Sequence, residues 1–137
     1  MSLNLAVRLP DTLGASLQPI EEETQLDTPS LVARAVDEWL RMNDHPRIRF
    51  TTLPSGQRMA ALVQGPEVWS VAKAWNDLPQ GSRTTADMED ATGLSESAVR
   101  AALQYYFAFK AEIDAELDNL FATADRLEAE WLNRVGA

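Results

Sequence analysis

The sequence predicts a mainly helical protein with a small amount of β-structure, and three observations indicate this class. Residues 3–9 alternate between apolar and other side chains, which is the period of a half-buried strand. Two short β-prone runs flank a Pro-Ser-Gly turn within residues 48–63. Much of the remaining chain carries apolar residues at helical spacing, and one such stripe continues from Ile113 to Trp131.

The first predicted element is the strand 3–9, which is too short to be stable alone. Its apolar face carries only aliphatic residues, and its other face carries Asn4, Ala6 and Arg8. Even an isolated two-stranded hairpin is marginal in water, and no second strand follows nearby because Pro10 and Asp11 start a helical pattern. We therefore expect the same strand of a second chain as its partner, which makes the protein a homodimer through residues 3–9.

Two amphipathic helices are expected next, and the order strand, helix, helix resembles the ribbon-helix-helix fold of the MetJ/Arc/CopG DNA-binding superfamily. The resemblance covers roughly the first third of the chain and rests on LAVRLPDTL at 5–13, EEET at 21–24 and LVARAVDEWL at 31–40. It implies a homodimer whose paired strands lie in the major groove of operator DNA.

The same resemblance implies which residues touch DNA. By position, Asn4, Ala6 and Arg8 match the outward-facing readers of base edges. Thr28 and Ser30 match the helix N-terminus that anchors a phosphate through unpaired N–H groups. A dimerisation module that does not bind DNA remains the alternative for this region.

Two residues of this region are unusual for such a module. Pro19 stands inside the first predicted helix, where it removes a hydrogen bond and costs about 3 kcal/mol unless the helix bends. Asp27 is expected to cap the second helix, which places a negative charge beside the phosphate position.

The composition predicts a globular, cytoplasmic protein without a membrane segment. The chain of 137 residues contains no Cys and is 45% hydrophobic, so neither a disulfide framework nor wholesale disorder is expected. No apolar run approaches the roughly 18 residues of a membrane span, and the N-terminus lacks the pattern of a secretory leader.

The net charge of −9 is unevenly distributed. Residues 1–44 have a net charge of −5, residues 45–81 of +2, and residues 82–137 of −6. Non-specific attraction to phosphates should therefore be weak, and DNA binding should need a specific site.

The sequence predicts neither an enzyme nor a cofactor. His45 is the only His, and it precedes Pro46 in a predicted turn, where a structural role is the expected one. No HExxH, Walker A or GxGxxG motif occurs. The carboxylates lie at helical spacing outside an apolar stripe, which is typical of a solvated face rather than of a Mg²⁺ site. We expect no catalytic residue and no bound metal.

The second predicted domain spans residues 45–137, because Asn43, Asp44, His45 and Pro46 end the helix of the first domain at residue 44. The runs IRFTT at 48–52 and RMAALV at 58–63 predict a β-hairpin, and EVWSVAKAWNDL at 67–78 predicts a helix. On that helix, Trp69 and Trp75 are expected to pack in the core.

Residues 84–103 carry a helix-turn-helix signature. Gly93 allows the sharp turn, Ser95 is expected to cap the second helix, and Val99 is expected to lock it onto the first. Glu89 replaces the small residue usual between such helices, and only Arg100 faces outward as a cation. A structural turn is therefore the preferred interpretation, with a DNA-reading element as the alternative.

Residues 45–114 also resemble a small bacterial family of unknown biochemical function that occurs in antitoxins. The resemblance rests on HPRIRF at 45–50, GPEVW at 65–69 and VRAALQYYFAFKAEID at 99–114. Such proteins are often encoded beside a partner with a PIN-type ribonuclease fold. A ribbon-helix-helix module followed by a toxin-facing region is the plan of VapB-type antitoxins.

The C-terminal helix supplies the expected partner surface. Its apolar stripe repeats at +4 and +3 spacing with acidic residues around it, so it must bury one face. The stripe packs either within its own domain or dimer, or in a groove of a basic partner. The candidate partner-binding residues are Leu117, Leu120, Leu127 and Trp131, with Arg126 and Arg134 as candidates for insertion into the toxin's acidic site.

The sequence therefore predicts a type II antitoxin that binds operator DNA as a dimer and neutralises a PIN-type ribonuclease toxin. Two alternatives remain open. One is a transcription regulator without a toxin partner, and the other is a dimeric interaction module that does not bind DNA.

Overall fold

A computed structural model describes residues 2–136 of the chain. The protein is mainly helical with a single two-stranded sheet in the described range, as the sequence predicts. The chain divides into two compact units, and the boundary falls between Arg41 and Met42, whereas the sequence predicts it after Asp44. No helix of the described residues is long and apolar enough to cross a membrane.

The first unit contains helix α1, Asp11–Thr24, and most of helix α2, Thr28–Asp44. Helix α1 starts directly after Pro10, whose carbonyl accepts the first turn's hydrogen bonds. It continues through Pro19 and ends at Thr24, and the following residue, Gln25, caps it with a left-handed backbone at φ 59°. Residues 2–10 form neither helix nor strand in the single chain, and the expected ribbon, which requires a second chain, stays a prediction.

The second unit begins with the predicted β-hairpin. Strand β1, Ile48–Thr52, pairs antiparallel with β2, Arg58–Leu62, in a register that places Ile48 opposite Leu62. The turn between them is closed by hydrogen bonds from Leu53 N–H to the Gln57 carbonyl and from Gly56 N–H to the Leu53 carbonyl, both 2.8 Å long. Gly56 has φ +89°, a conformation that glycine adopts without steric cost.

The helices of the second unit follow the predicted order. They are α3 (Val68–Asp77), α4 (Thr85–Thr92), α5 (Glu96–Ala108) and α6 (Lys110–Val135), with a short 3₁₀ turn (Gln80–Ser82) after α3. As predicted, Gly93 makes the turn after α4 with φ +74°, and the Ser95 hydroxyl caps α5 by accepting the Ala98 N–H at 3.3 Å. The helix that starts after Ser95 is interrupted at Phe109, so α5 and α6 are separate.

The core of the second unit lies between the hairpin, α3, α5 and the first turns of α6. Trp69 and Trp75 are partly buried against it, as predicted. The sequence predicts that one of the adjacent residues Tyr105 and Tyr106 points inward and the other outward, and this prediction is wrong because both are fully buried. Buried residues of this core include Ile48, Leu62, Val68, Val71, Met88, Val99, Leu103 and Ile113.

Candidate nucleic-acid and partner interfaces

The segment before α1 exposes its apolar side chains to an unusual degree. Leu3, Leu5 and Val7 are 80%, 74% and 72% exposed, and they alternate with the other side chains of the segment. Single exposed aliphatic residues are ordinary on a protein surface, but a contiguous apolar set marks an interaction surface. This arrangement fits the expectation that a second chain covers the apolar face.

An apolar groove lies beside this segment within the same unit. It has a volume of about 370 Å³, and its walls come from residues 9–17 and from α2. Val36 and Trp39 stay 52% and 61% exposed along it, so the single chain leaves this face uncovered. The lining includes Leu9, Leu13, Leu17, Leu31, Val36 and Trp39.

The candidate DNA-reading residues alternate in sequence with the aliphatic residues of segment 3–9. Asn4, Ala6 and Arg8 are all exposed, and no acidic side chain of residues 2–136 pairs with Arg8. The Arg8 guanidinium therefore keeps its five N–H donors available for an acceptor such as the edge of guanine.

The N-terminus of α2 is already occupied by protein groups. Asp27 caps the helix as predicted, because its carboxylate accepts the Ser30 N–H at 2.9 Å, and the Thr28 hydroxyl donates to the Glu21 carboxylate. Hydrogen bonds from the side chain and backbone of Ser30 hold the pKa of Asp27 below its ordinary value. A phosphate at Thr28 and Ser30 would have to share or replace these bonds.

The stripe of α6 divides into a buried part and an exposed part. Ile113 and Leu117 are 0% and 7% exposed and belong to the core of the second unit. The prediction that Leu117 binds a partner is therefore wrong, because its side chain is buried in the core. Leu120 is partly buried and lies between the buried and the exposed part of the stripe. Every residue from 121 to 136 is exposed, and the large apolar ones are Phe121, Leu127, Trp131, Leu132 and Val135.

The two arginines proposed for insertion into a partner lie on this exposed part of α6. Arg126 and Arg134 are both exposed, and the Arg126 Nε lies 4.0 Å from the Glu130 carboxylate one turn away. Such an exposed pair is worth little, so it would not prevent Arg126 from meeting another carboxylate.

A polar network fastens the start of α6 to the rest of the second unit. The Tyr106 hydroxyl donates to the Asp114 carboxylate at 2.6 Å and accepts the Asn76 amide at 3.2 Å, and the Lys110 ammonium lies 2.6 Å from Asp114. The bonds from Lys110 and Tyr106 lower the pKa of Asp114, and the bond to Asp114 raises the pKa of Lys110. These bonds join α5, α3 and α6 just after the break at Phe109.

An open cleft of about 410 Å³ borders this network. Its two lysines are each held by an aspartate one turn away, Lys73 by Asp77 and Lys110 by Asp114, both at 2.6 Å. Both ion pairs lie within one helix, α3 or α6, and the Lys73 ammonium also lies 5.7 Å from the centre of the Phe121 ring of α6.

We predict that Tyr106→Phe destabilises the second unit by about 1.5 kcal/mol, because a buried hydroxyl loses a bond to a carboxylate and one from an amide. The pKa of Asp114 should rise toward its ordinary value. Stability from this bond is present above the ordinary carboxyl pKa and is lost as pH falls through the lowered one. Urea unfolding and an NMR titration of Asp114 test this, and an unchanged pKa would contradict it.

The described residues contain no group of three or more His, Cys, Asp or Glu that could hold a metal ion. His45 lies in the turn before β1, where its ring packs edge-on against Tyr105 at 5.3 Å and Phe109 at 6.1 Å between ring centres. This environment matches the structural role expected for His45.

Comparison with protein-family models, with curated proteins and with solved structures found no match for this chain. The candidate surfaces therefore rest on the residues themselves. Sequence reasoning missed Phe121, Leu132 and Val135 on the exposed face of α6, although their helical positions beside Leu127 and Trp131 were a usable signal. It also missed the hydrogen bond from Tyr106 to Asp114, which joins α5 to α6 across the break between them. No local sequence pattern predicts a bond between residues of two different helices.

Proposed function

We propose that the chain is a homodimeric antitoxin that binds operator DNA through its N-terminal segment and a PIN-type ribonuclease toxin through α6. The observation that carries the proposal is the segment 3–9, whose aliphatic residues Leu3, Leu5 and Val7 are exposed and whose last residue, Leu9, lines an uncovered apolar groove. A second copy of the segment would pair with the first and cover aliphatic surface on both chains.

In such a dimer, the opposite face of the ribbon would present Asn4, Ala6 and Arg8 twice. Arg8 suits a guanine, Asn4 suits an adenine, and the Ala6 methyl suits the methyl group of thymine. Since the chain carries a net charge of −9, attraction to phosphates is weak and these contacts to bases have to supply much of the affinity. Binding of the full chain to a duplex from upstream of its own gene tests this part.

The partner-binding part is supported by the exposed end of α6. Leu127 and Trp131 share one helical face, with Phe121 at its edge, which suits an apolar groove. Acidic residues such as Asp118, Asp125 and Glu130 flank that face and would complement the basic surface that a ribonuclease uses to bind RNA. Neutralisation would be steric and electrostatic, with Arg126 or Arg134 able to reach the toxin's acidic site.

Trp131→Asp is expected to abolish co-purification of the proposed ribonuclease toxin, because it places a charge at the centre of the apolar face. Loss of a central aromatic residue should weaken binding by about 30-fold or more. Ala129→Asp adds the same charge on the other side of the exposed helix and should leave the complex intact.

Two results would contradict the toxin-binding part. The wild-type chain could fail to co-elute with that ribonuclease, or Trp131→Asp and Ala129→Asp could behave alike. DNA binding without a toxin complex would instead identify a stand-alone regulator.

A further inference from the structure

Helices α4 and α5 form a compact pair joined by a short turn. Gly93, Leu94 and Ser95 connect them, and Met88 of α4 and Val99 of α5 are both fully buried in the shared core. A glycine-containing turn of this length between two packed helices is the arrangement of a helix-turn-helix, whose second helix reads DNA in many proteins.

The exposed face of α5 carries side chains of the types that can contact base edges. Ser97, Arg100 and Gln104 follow one another at +3 and +4 spacing, so they lie along one side of the helix, and all three are exposed. Arginine and glutamine make bidentate contacts to guanine and adenine, and serine bonds to either. The buried side of α5 is apolar apart from its tyrosine hydroxyls. The side chains that pack in the core are therefore different from those that are free to contact DNA.

A second cation lies across from this face. The residues Ser97, Arg100 and Gln104 line a groove of about 320 Å³ whose other wall is the turn before β1, including Arg47. Arg47 is exposed and has no ion pair within the described chain, and it belongs to the stretch 45–81 with net charge +2. The sequence pattern did not place Arg47 beside α5.

We propose that this groove, formed by Arg47 with the Ser97–Gln104 face of α5, is a second DNA-contacting surface of the protein. The α5 side chains contact base edges in a major groove, and Arg47 contacts a phosphate of the same duplex. This second surface does not depend on the N-terminal ribbon, and it would add DNA contacts outside the ribbon's own site.

Glu96 acts against this binding. Its carboxylate lies 2.5 Å from an Arg100 guanidinium nitrogen, and Asp44 also lines the groove. A base edge must therefore compete with Glu96 for Arg100. Glu96→Gln should strengthen DNA binding several-fold, and Arg100→Ala should weaken it about tenfold. Arg47→Ala should reduce the slope of the logarithm of the binding constant against the logarithm of salt concentration by about 1.

Cross-linking from single cysteines tests contact directly, because the chain contains no native Cys. Full-length Ser97→Cys, Asn4→Cys and Ala129→Cys proteins, each carrying a benzophenone label, are irradiated with a duplex from upstream of the gene. We expect DNA adducts from position 97 and none from position 129, which lies on the exposed part of α6.

The three positions separate this inference from the proposed ribbon. Adducts at 97 support the second surface, whether or not position 4 reacts. Adducts at 4 alone support the ribbon and overturn the second surface, and adducts at neither overturn both. Unchanged affinity in both Glu96→Gln and Arg100→Ala would also overturn it.

Discussion

Leu5→Lys is expected to make the protein monomeric and to abolish its DNA binding at the same time. Leu5 is 74% exposed in the single chain and lies in the middle of the aliphatic face of segment 3–9. In a two-fold ribbon, the substitution would bury two ammonium groups without partners, and each uncompensated charge costs several kcal/mol. Analytical ultracentrifugation at micromolar concentration measures the change from dimer to monomer.

Ala6→Lys is the matched control for Leu5→Lys. It introduces the same side chain one residue away, on the face that stays exposed in the proposed dimer. It should remain dimeric. A wild-type chain that is monomeric at these concentrations, or a Leu5→Lys chain that still dimerises, would contradict the ribbon.

Tyr105→Ala should destabilise the second unit by about 3–5 kcal/mol, which is the usual cost of removing a buried aromatic ring. Tyr105 is fully buried, and its ring meets Phe50 of β1 at 6.4 Å and Phe109 at 4.7 Å between ring centres. The resulting cavity would separate the hairpin from α5. Urea unfolding followed by tryptophan fluorescence measures the change, with Trp39 and Trp131 replaced by Phe so that the signal comes from Trp69 and Trp75.

Gln104→Ala provides the comparison for Tyr105→Ala, because Gln104 is the preceding residue of the same helix and is exposed. Its effect on stability should stay within about 0.5 kcal/mol. If Tyr105→Ala lowered the free energy of unfolding by less than about 1 kcal/mol, the packing described for this core would be contradicted.

Local signals were sufficient for the hairpin and for α3, α4 and α5. The Pro-Ser-Gly turn, the left-handed Gly93 and the Ser95 cap each act within a few residues, so their chemistry can be read without knowledge of distant contacts. The same reasoning placed Asp27 at the start of α2, where its carboxylate accepts the Ser30 N–H.

Features that depend on several elements at once could not be predicted. Tyr105 and Tyr106 are adjacent, yet both are buried because α5 packs against the hairpin on one side and against α3 on the other. For the same reason the α6 stripe looked uniform, although neighbouring elements cover it only as far as Leu117 and part of Leu120. The ribbon depends on a second chain, which local patterns can only indicate.

The central claim is that the N-terminal segment reads DNA, and Arg8→Ala tests it most directly. The full chain is titrated onto a duplex from upstream of its own gene and onto a scrambled duplex, with ultracentrifugation showing that Arg8→Ala remains dimeric. Loss of one arginine from each chain should weaken specific binding by about 100-fold. Equal affinity of wild type and Arg8→Ala, or no preference for the upstream duplex, would contradict the claim.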